Sequence, residues 1–273
     1  MANALSLNST SAYGTLCNGV ADAKRFQAWQ LDALAAHPAG TELLTIGPFH
    51  AVIPATDHFG GWVTIVEGTV GERDIEEAVA SLRSAFKQRD TEPEIEYNEA
   101  LFPEVGPWLE AAGFTLAERN PLMACRPEGF KPSVVPDVTL HRLTPESAVA
   151  NLQAFQAIRW TNGEHDDRAV PEVDRLKKEL MSATSVYLLA WLDGEKAGTG
   201  VSHALNGAAE IVGVVTRHDK RGRGIAAAVT SNLITSHFAA GGDFVFLDAA
   251  NDAARRVYER LGFKEFGANL VYR

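Results

Sequence analysis

The second half of the chain alternates between short runs with a strand-like period and longer stretches with a helical period. Apolar residues recur at every second position in the first kind and at every third or fourth position in the second. The pattern predicts, in order, a strand over 138–143, helices over 145–160 and 171–181, strands over 186–192, 197–205 and 208–216, a helix from Ile225, a strand over 243–248, a helix over 251–261 and closing strands to Arg273. Asp193-Gly194 and Asn206-Gly207 are turn pairs between the middle strands.

The first half of the chain repeats part of this pattern more weakly. A strand is predicted over 62–67, and a helix follows it. The apolar stripe of that helix is formed by Ile75, Val79, Leu82 and Phe86. Prolines punctuate residues 126–137, which have no apolar period. We therefore predict two domains joined by this connecting segment.

Length and composition agree with two soluble domains. The 273 residues exceed the usual size of one compact domain, and 46% of them are hydrophobic. No apolar run approaches the length that a membrane helix needs, and no secretory signal is evident at residue 1. The two cysteines, Cys17 and Cys125, do not make a disulfide framework. We expect a reduced, cytoplasmic setting.

The net charge of -10 is concentrated in the first half of the chain. Residues 1–135 hold 18 acidic and 9 basic side chains, against 17 and 16 in the remainder. A nucleic-acid backbone requires a basic face, so we expect no nucleic-acid partner. The acidic balance mildly favours cationic substrates, although the acidic run is equally compatible with a solvated face. That run consists of Glu92, Glu94, Glu96, Glu99 and Glu104.

A basic loop with two glycines follows the strand predicted over 208–216 and opens the next helix. The first N–H groups of a helix lack partners and carry the positive end of its dipole, so an anion fits there. Gly222 and Gly224 let the backbone approach a phosphate, and Lys220, Arg221 and Arg223 add positive charge. The pattern is neither a nucleotide-triphosphate loop nor a dinucleotide fingerprint. It predicts a site for a pyrophosphate-bearing cofactor, with an ordinary exposed turn as the alternative.

This loop resembles the cofactor motif of the GNAT superfamily of N-acetyltransferases, Gln/Arg-x-x-Gly-x-Gly/Ala. The matching residues are Arg221, Gly222, Arg223, Gly224, Ile225 and Ala226. Residues 251–263 resemble a second family segment, Asn-x-x-Ala-x-x-x-Tyr-x-x-x-Gly-Phe, through Asn251, Ala254, Tyr258, Gly262 and Phe263. Both matches occur in the order of the family. The resemblance covers about residues 137–273.

The resemblance implies an α/β (α+β) fold with two GNAT-like acyl-CoA N-acyltransferase domains, each a mixed, centrally splayed β-sheet flanked by helices. The second domain, 138–273, is expected to be catalytic, and 131–137 to be a linker. In the first domain, 1–130, the segment 68–74 occupies the place of the cofactor loop but lacks its motif and carries two acids that would repel an anion. We expect a degenerate GNAT-like domain without cofactor that walls the substrate cleft.

The resemblance also implies roles for residues of the second domain. Val214, Val215 and Thr216 would contact the thioester carbonyl through backbone N–H groups freed by a bulge. Tyr258 would give a proton to the leaving thiolate, or it is simply part of an apolar helix stripe. Asn251 would hydrogen-bond the pantetheine arm of the cofactor, and it is also a favoured helix N-cap residue, two roles that are compatible.

Glu210 is the preferred candidate for the general base. Alternation along the strand from Glu210 through Val212 and Val214 predicts that these residues share one face, and Glu210 precedes Arg221 by the spacing found in histone-type acetyltransferases. A solvated strand-edge glutamate is the alternative. Competing candidates lie in the polar loop after the first helix of this domain, where His165 titrates near neutrality. They are Glu164, His165, Asp166 and Asp167.

Together these features predict an acetyl-CoA-dependent N-acetyltransferase that transfers an acetyl group to a primary amine of a small molecule by direct attack. The alternatives are a non-catalytic acyl-CoA-binding sensor and a protein or peptide amine acetyltransferase. No metal is expected, because the histidines and cysteines have no ligand spacing, and no GxSxG elbow supports a serine hydrolase. We expect a monomer or homodimer without membrane partners.

Overall fold

The computed structural model of the protein describes residues 10–35, 41–54, 62–65, 70–163 and 173–273. Within these ranges the chain forms α-helices and β-strands, named here in chain order. They are α1 (Thr10–Ala35), β1 (Thr41–Ile46), β2 (Phe49–Pro54), β3 (Trp62–Ile65), α2 (Glu72–Lys87), β4 (Glu94–Asn98), α3 (Val105–Ala111), β5 (Leu116–Cys125), β6 (Val138–Arg142), α4 (Val149–Trp160), α5 (Val173–Glu179), β7 (Ser185–Leu192), β8 (Glu195–Leu205), β9 (Ala208–Thr216), α6 (Ile225–Ala239), β10 (Phe244–Asp248), α7 (Asp252–Leu261) and β11 (Lys264–Tyr272).

The elements predicted for the second half of the chain are all present among the described residues. Two details differ. The helix predicted over 145–160 begins at Val149, because the preceding residues form a turn in which Thr144 N donates to Ser147 Oγ at 2.9 Å. The closing strands are one strand, β11. The α/β fold class is confirmed.

The first compact unit consists of Met1–Leu122 and Glu265–Arg273. Its strands lie in the order β1-β2-β3-β4-β11-β5, and β3 is parallel to β4. The predicted stripe of α2 is buried in the core of this unit, which confirms the helical period. A buried apolar stripe of this kind supplies most of the stability of a surface helix.

The second compact unit consists of Met123–Lys264. Its strands lie in the order β10-β9-β8-β7-β6, antiparallel from β6 to β9 and parallel between β9 and β10. α4 and α5 pack on one face of this sheet, and α6 and α7 pack on the other. α6 approaches β8 so closely that a Cβ on Gly200 would lie 2.3 Å from Val229 Cγ1. Only glycine permits this contact.

The division into compact units differs from the predicted domain ranges. It falls inside β5, between Leu122 and Met123, and it assigns 265–273 to the first unit. The reason is the pairing of β11 with β4, in which Leu270 lies opposite Tyr97. Contacts between distant chain segments of this kind leave no local sequence pattern. The degenerate character of the first domain stays a prediction.

The segment predicted as a linker, 131–137, contains no helix or strand. It is nevertheless tied to the second unit. Lys131 N donates to Leu261 O at 2.9 Å, and Ser133 N donates to Ser231 Oγ at 2.9 Å. The segment therefore packs within the second unit, against α6 and the end of α7.

The acidic run of the first unit is engaged in local contacts. Glu99 pairs with Arg119 at 2.7 Å. Glu96 is partly buried and accepts a hydrogen bond from Asn269 Nδ2 at 3.3 Å, and burial raises the pKa of its carboxyl. Glu96 and Glu99 are therefore not part of a uniformly solvated acidic face, which was one of the two interpretations of the sequence.

Among the described residues, no helix is long and apolar enough to cross a membrane.

Candidate active site

The glycine loop that precedes α6 adopts the left-handed backbone conformation twice. Gly222 has a φ of 77° and Gly224 has a φ of 79°, and Gly224 is the N-cap of α6. A Cβ on Gly222 would meet nothing within 4 Å, whereas a Cβ on Gly224 would lie 2.9 Å from Val135 Cγ2. The open space at Gly222 and the unpaired first N–H groups of α6 fit an anion cradle.

The basic side chains of this loop are held by neighbouring groups. Lys220 Nζ lies 2.6 Å from Glu195 Oε2, and Arg223 Nη2 lies 3.5 Å from Asp193 Oδ2. Asp193 lies in the turn between β7 and β8, and Glu195 is the first residue of β8. A phosphate would therefore have to share these cations with, or take them from, the two carboxylates.

Arg221 links the loop to two backbone carbonyls. Its Nε donates to Thr216 O at 3.4 Å and its Nη2 to Asn162 O at 3.3 Å. His218 N also donates to Gly163 O at 2.9 Å. The start of the glycine loop is thus fixed to the turn that follows α4, so Arg221 contributes to the loop geometry as well as to its charge.

β9 carries the bulge that the resemblance implies, at a glycine that sequence analysis did not single out. Val215 lies opposite Thr199, and Val212 lies opposite Val201, so Gly213 and Val214 face the single residue between them on β8. Gly213 has a φ of 58°, and its carbonyl accepts a hydrogen bond from Thr199 Oγ1 at 3.0 Å. Bulges leave an extra residue out of the ladder and re-aim the neighbouring backbone groups.

The parallel pairing of β9 with β10 stops before this bulge. It extends from Ala208 and Phe244 to Glu210 and Phe246, and in these fully described strands no later register pair joins the two. The strands therefore splay where β9 bulges. Glu210 occupies the last paired position before the opening.

The bulge also corrects the predicted alternation. Glu210 and Val212 share the face of α4 and α5, but Val214 packs with the core on the opposite face, and Val215 takes its place. The prediction that Val214 shares the face of Glu210 is wrong because the extra residue shifts the period of two by one position.

Three polar side chains, those of His203, Ser185 and Tyr187, lie near Glu210 on the face of the sheet that α4 and α5 cover. His203 lies opposite Glu210 on β8, and its Nδ1 lies 2.8 Å from Ser185 Oγ. The rings of His203 and Tyr187 are 6.2 Å apart. Burial, and secondarily the charge of Arg159, lowers the pKa of His203 to about 4, so its imidazole is neutral at pH 7. Sequence analysis missed this group, because its residues lie on separate elements that only packing in three dimensions brings together.

Tyr258 lies on α7, in the core on the opposite face of the sheet from Glu210. It is 6% exposed, its ring is 5.7 Å from that of Phe263, and Val214 borders the same core. Burial alone raises the pKa of Tyr258 to about 12. The phenol therefore keeps its proton at neutral pH, as a proton donor must.

The comparison with known proteins identifies the fold of this site. The model of the Acetyltransferase (GNAT) family matches residues 152–263. The chain carries a GNAT acetyltransferase domain. The match includes Glu210, the bulge, the glycine loop and Tyr258.

A curated relative and two solved structures resemble the chain that carries this GNAT domain. A mycothiol acetyltransferase of Streptomyces avermitilis is 31% identical over 150 residues, which cover 52% of this chain and 48% of the relative. The match thus spans about half the length of that relative. A GCN5-related N-acetyltransferase from Kribbella flavida superposes with a TM-score of 0.76 at 24% identity, covering 92% of this chain and 94% of that one. A tandem GNAT protein from the clavulanic acid biosynthesis pathway superposes with a TM-score of 0.61 at 14% identity, covering 98% and 96%.

In the GNAT domain, Asn251 is the N-cap of α7, and its Oδ1 accepts a hydrogen bond from Ala254 N at 2.9 Å. The capping role is confirmed, and a contact with cofactor stays a prediction.

The competing base candidates Glu164, His165, Asp166 and Asp167 lie outside the described residues. Among the residues that are described, no group of three or more His, Cys, Asp and Glu side chains could hold a metal ion.

Proposed function

We propose that the chain is an acetyl-CoA-dependent N-acetyltransferase that acetylates a primary amine of a small molecule by direct attack. The observation that carries the proposal is the position of the bulge at Gly213 and Val214, where β9 separates from β10 and leads into the glycine loop. Acyl transfer needs N–H donors at the carbonyl and an anion cradle for the rest of the donor molecule. The relative named as a mycothiol acetyltransferase supports acetyl as the group transferred.

Acetyl-CoA would be held by the loop and the first turn of α6. Gly222 leaves open space for the pyrophosphate, Gly224 begins α6 in a left-handed conformation, and the N–H groups of Ile225 and Ala226 would face the phosphate. Arg221 and Arg223 supply charge. Acetyl-CoA supplies a thioester whose carbonyl carbon accepts the amine and whose sulfur leaves.

Two proton transfers accompany the reaction, and each is carried out by a residue on a different face of the sheet. Glu210 takes a proton from the amine, directly or through one water, on the α4 and α5 face. The backbone N–H groups of 214–216 stabilise the negative charge that develops on the carbonyl oxygen. The new C–N bond forms, the C–S bond breaks, and Tyr258 on the opposite face gives its proton to the thiolate. The products are the N-acetyl amine and free coenzyme A.

The first unit is proposed to be GNAT-like and free of cofactor. The N-terminus of α2, which occupies the place of α6, carries Glu72 and Asp74 in its first turn. Asp74 Oδ2 already accepts a hydrogen bond from Gly71 N at 2.9 Å. Carboxylates at a helix N-terminus satisfy its dipole and repel a phosphate.

Calorimetric titration of the full chain with acetyl-CoA tests the proposal. We expect one site per chain, lost in Gly224→Glu, whose side chain would meet Val135 and place a negative charge at the cradle. Gly241→Glu is the matched control, because Gly241 also has a positive φ, of 91°, and open space around its Cα, but follows the C-terminus of α6. Two sites would contradict the proposal for the first unit. No binding, or equal binding by both variants, would contradict the cofactor site.

Thiol release with a panel of small amines tests the acceptor class. Turnover with small amines supports the proposal. Binding of acetyl-CoA without turnover on any small amine would favour the sensor, and turnover on peptides alone would favour the protein-directed alternative.

A further inference from the structure

Arg159 covers the β-bulge from the side of the sheet on which Glu210 lies. It belongs to the last turn of α4. A Cβ on Gly213 would lie 3.0 Å from Arg159 Nε and 3.4 Å from its Cδ. The side chain of Arg159 therefore packs directly on the backbone where the strands separate, at the position where the carbonyl of the donor would be polarised.

The guanidinium of Arg159 has no ion pair or side-chain hydrogen bond among the residues described, 10–35, 41–54, 62–65, 70–163 and 173–273. Arg217, on the strand end nearby, differs: its Nη2 lies 2.7 Å from Asp219 Oδ2. Arg159 is also partly buried. Burying a cation that has no counter-ion in the described part of the chain is costly, and a guanidinium can donate two parallel N–H···O hydrogen bonds to a carboxylate.

Carboxylates of the chain lie on the same face but at other positions. Glu210 precedes Gly213 by three residues, which is about 10 Å along an extended strand. Glu179 on α5 accepts a hydrogen bond from Tyr187 Oη at 3.4 Å. The charge of Arg159 reaches both Tyr187 and His203: burial raises the pKa of Tyr187 and Arg159 partly offsets that rise, whereas burial lowers the pKa of His203 and Arg159 lowers it further. Among the described residues, this face thus places the guanidinium of Arg159 at the bulge and the carboxylates of Glu210 and Glu179 away from it.

This charge pattern complements a molecule with an amine and a carboxylate. The amine must lie beside the bulge, where the carbonyl is polarised, and within reach of Glu210. Arg159 packs on that same bulge. The anionic group it would bind must therefore lie close to the nucleophilic nitrogen, within one or two carbon atoms of it.

We propose that Arg159 binds the carboxylate of an amino-acid-type acceptor, in which the amine that is acetylated lies one or two carbons from that carboxylate. This inference rests on the proposed N-acetyltransferase function and names the acceptor class of the same site. Arg159 holds the acceptor and takes no part in the proton transfers.

Binding can be measured apart from turnover. The full chain, saturated with coenzyme A, is titrated calorimetrically with matched pairs: phenylalanine and phenethylamine, histidine and histamine, lysine and cadaverine. In at least one pair we expect the carboxylated member to bind about tenfold to a hundredfold more tightly, as expected for a charge-assisted, bidentate contact. Arg159→Gln should remove that preference, and Arg159→Lys should keep part of it as a point charge.

Binding of acetyl-CoA serves as the control for folding: both variants should still bind one molecule per chain, because Arg159 lies outside the glycine loop proposed to hold the pyrophosphate. Equal binding of the two members of every pair, no binding of any, or a preference that survives Arg159→Gln would overturn the inference. An equal loss of kcat on acids and amines alike in Arg159→Gln would also overturn it, and would indicate a role at the carbonyl oxygen instead. A clear binding preference without any thiol release would overturn the proposed function and leave the carboxylate site standing.

Discussion

Gly163 lies so close to Thr216 that a Cβ at position 163 would be 2.4 Å from the carbonyl oxygen of Thr216. Gly163 ends the turn after α4, and Thr216 ends β9. Gly163 O also accepts the hydrogen bond from His218 N. The turn after α4 is thus joined to the strand end that leads into the glycine loop, through a contact that only glycine allows.

Gly163→Ala should therefore lower both stability and cofactor affinity. Its φ of 78° costs an alanine about 1–2 kcal/mol, and the clash with a backbone carbonyl adds about 1–3 kcal/mol. A shift of residue 163 would also weaken the hydrogen bond that its carbonyl accepts from His218 N, and with it acetyl-CoA binding. Denaturant unfolding and calorimetry measure the two effects.

Gly194→Ala is the matched control for this substitution. Gly194 has a φ of 76°, and a Cβ there would meet nothing within 4 Å. It should cost only the backbone strain and leave acetyl-CoA affinity intact. Equal losses of stability in the two variants would mean that the contact with Thr216 is relaxed in solution.

Tyr258→Phe should lower kcat by about a hundredfold and change the affinity for acetyl-CoA little. The phenol is buried, keeps its proton at neutral pH and borders the same core as Val214, so its loss removes a proton donor without removing the ring. Steady-state thiol release gives kcat, and calorimetry gives the affinity.

Tyr97→Phe provides the comparison for Tyr258→Phe. Tyr97 is also buried, with its pKa raised by burial, but it belongs to the core of the first unit. It should leave kcat unchanged. Full turnover in Tyr258→Phe would reduce Tyr258 to a packing residue of α7.

The sequence predicted the elements of the second unit because their periods are local. The stripe of α6 and the N-cap of α7 follow from residues within a few positions of one another, such as Asn251 and Ala254. The bulge was implied only by the resemblance. Its effect on the side of the sheet that Val214 faces was missed, because predicting sides from strict alternation assumes a strand without bulges. Position 213 is a glycine with positive φ inside a strand, a pattern that indicates bulges and could have located it.

The polar groups around the bulge could not be assembled from the sequence. Arg159 comes from a helix, His203 and Tyr187 from two strands, and only packing in three dimensions brings them onto one face. The pairing of β11 with β4 is of the same kind, since it joins residues more than 160 positions apart, such as Asn269 and Asn98. Side-chain chemistry alone gives no sign of either arrangement.

His203 should make the stability of the protein depend on pH between about 6.5 and 4. Its pKa falls from 6.5 to about 4 on folding, mainly through burial. Below pH 6.5 the unfolded chain binds a proton at this position that the folded chain does not take up until about pH 4. Stability is therefore lost as the pH falls through this window, by at most about 1.4 kcal/mol per pH unit.

His203→Gln removes this titration and keeps a polar partner for Ser185. The free energy of unfolding of wild type and variant is measured by denaturant titration at half-unit steps from pH 7.5 to 4. The other histidines contribute to both proteins, so the difference isolates position 203. The wild type should lose stability relative to His203→Gln as the pH falls below 6.5. Parallel curves would mean that folding does not shift the pKa of His203, and the burial assigned to its imidazole on the face of Glu210 would have to be given up.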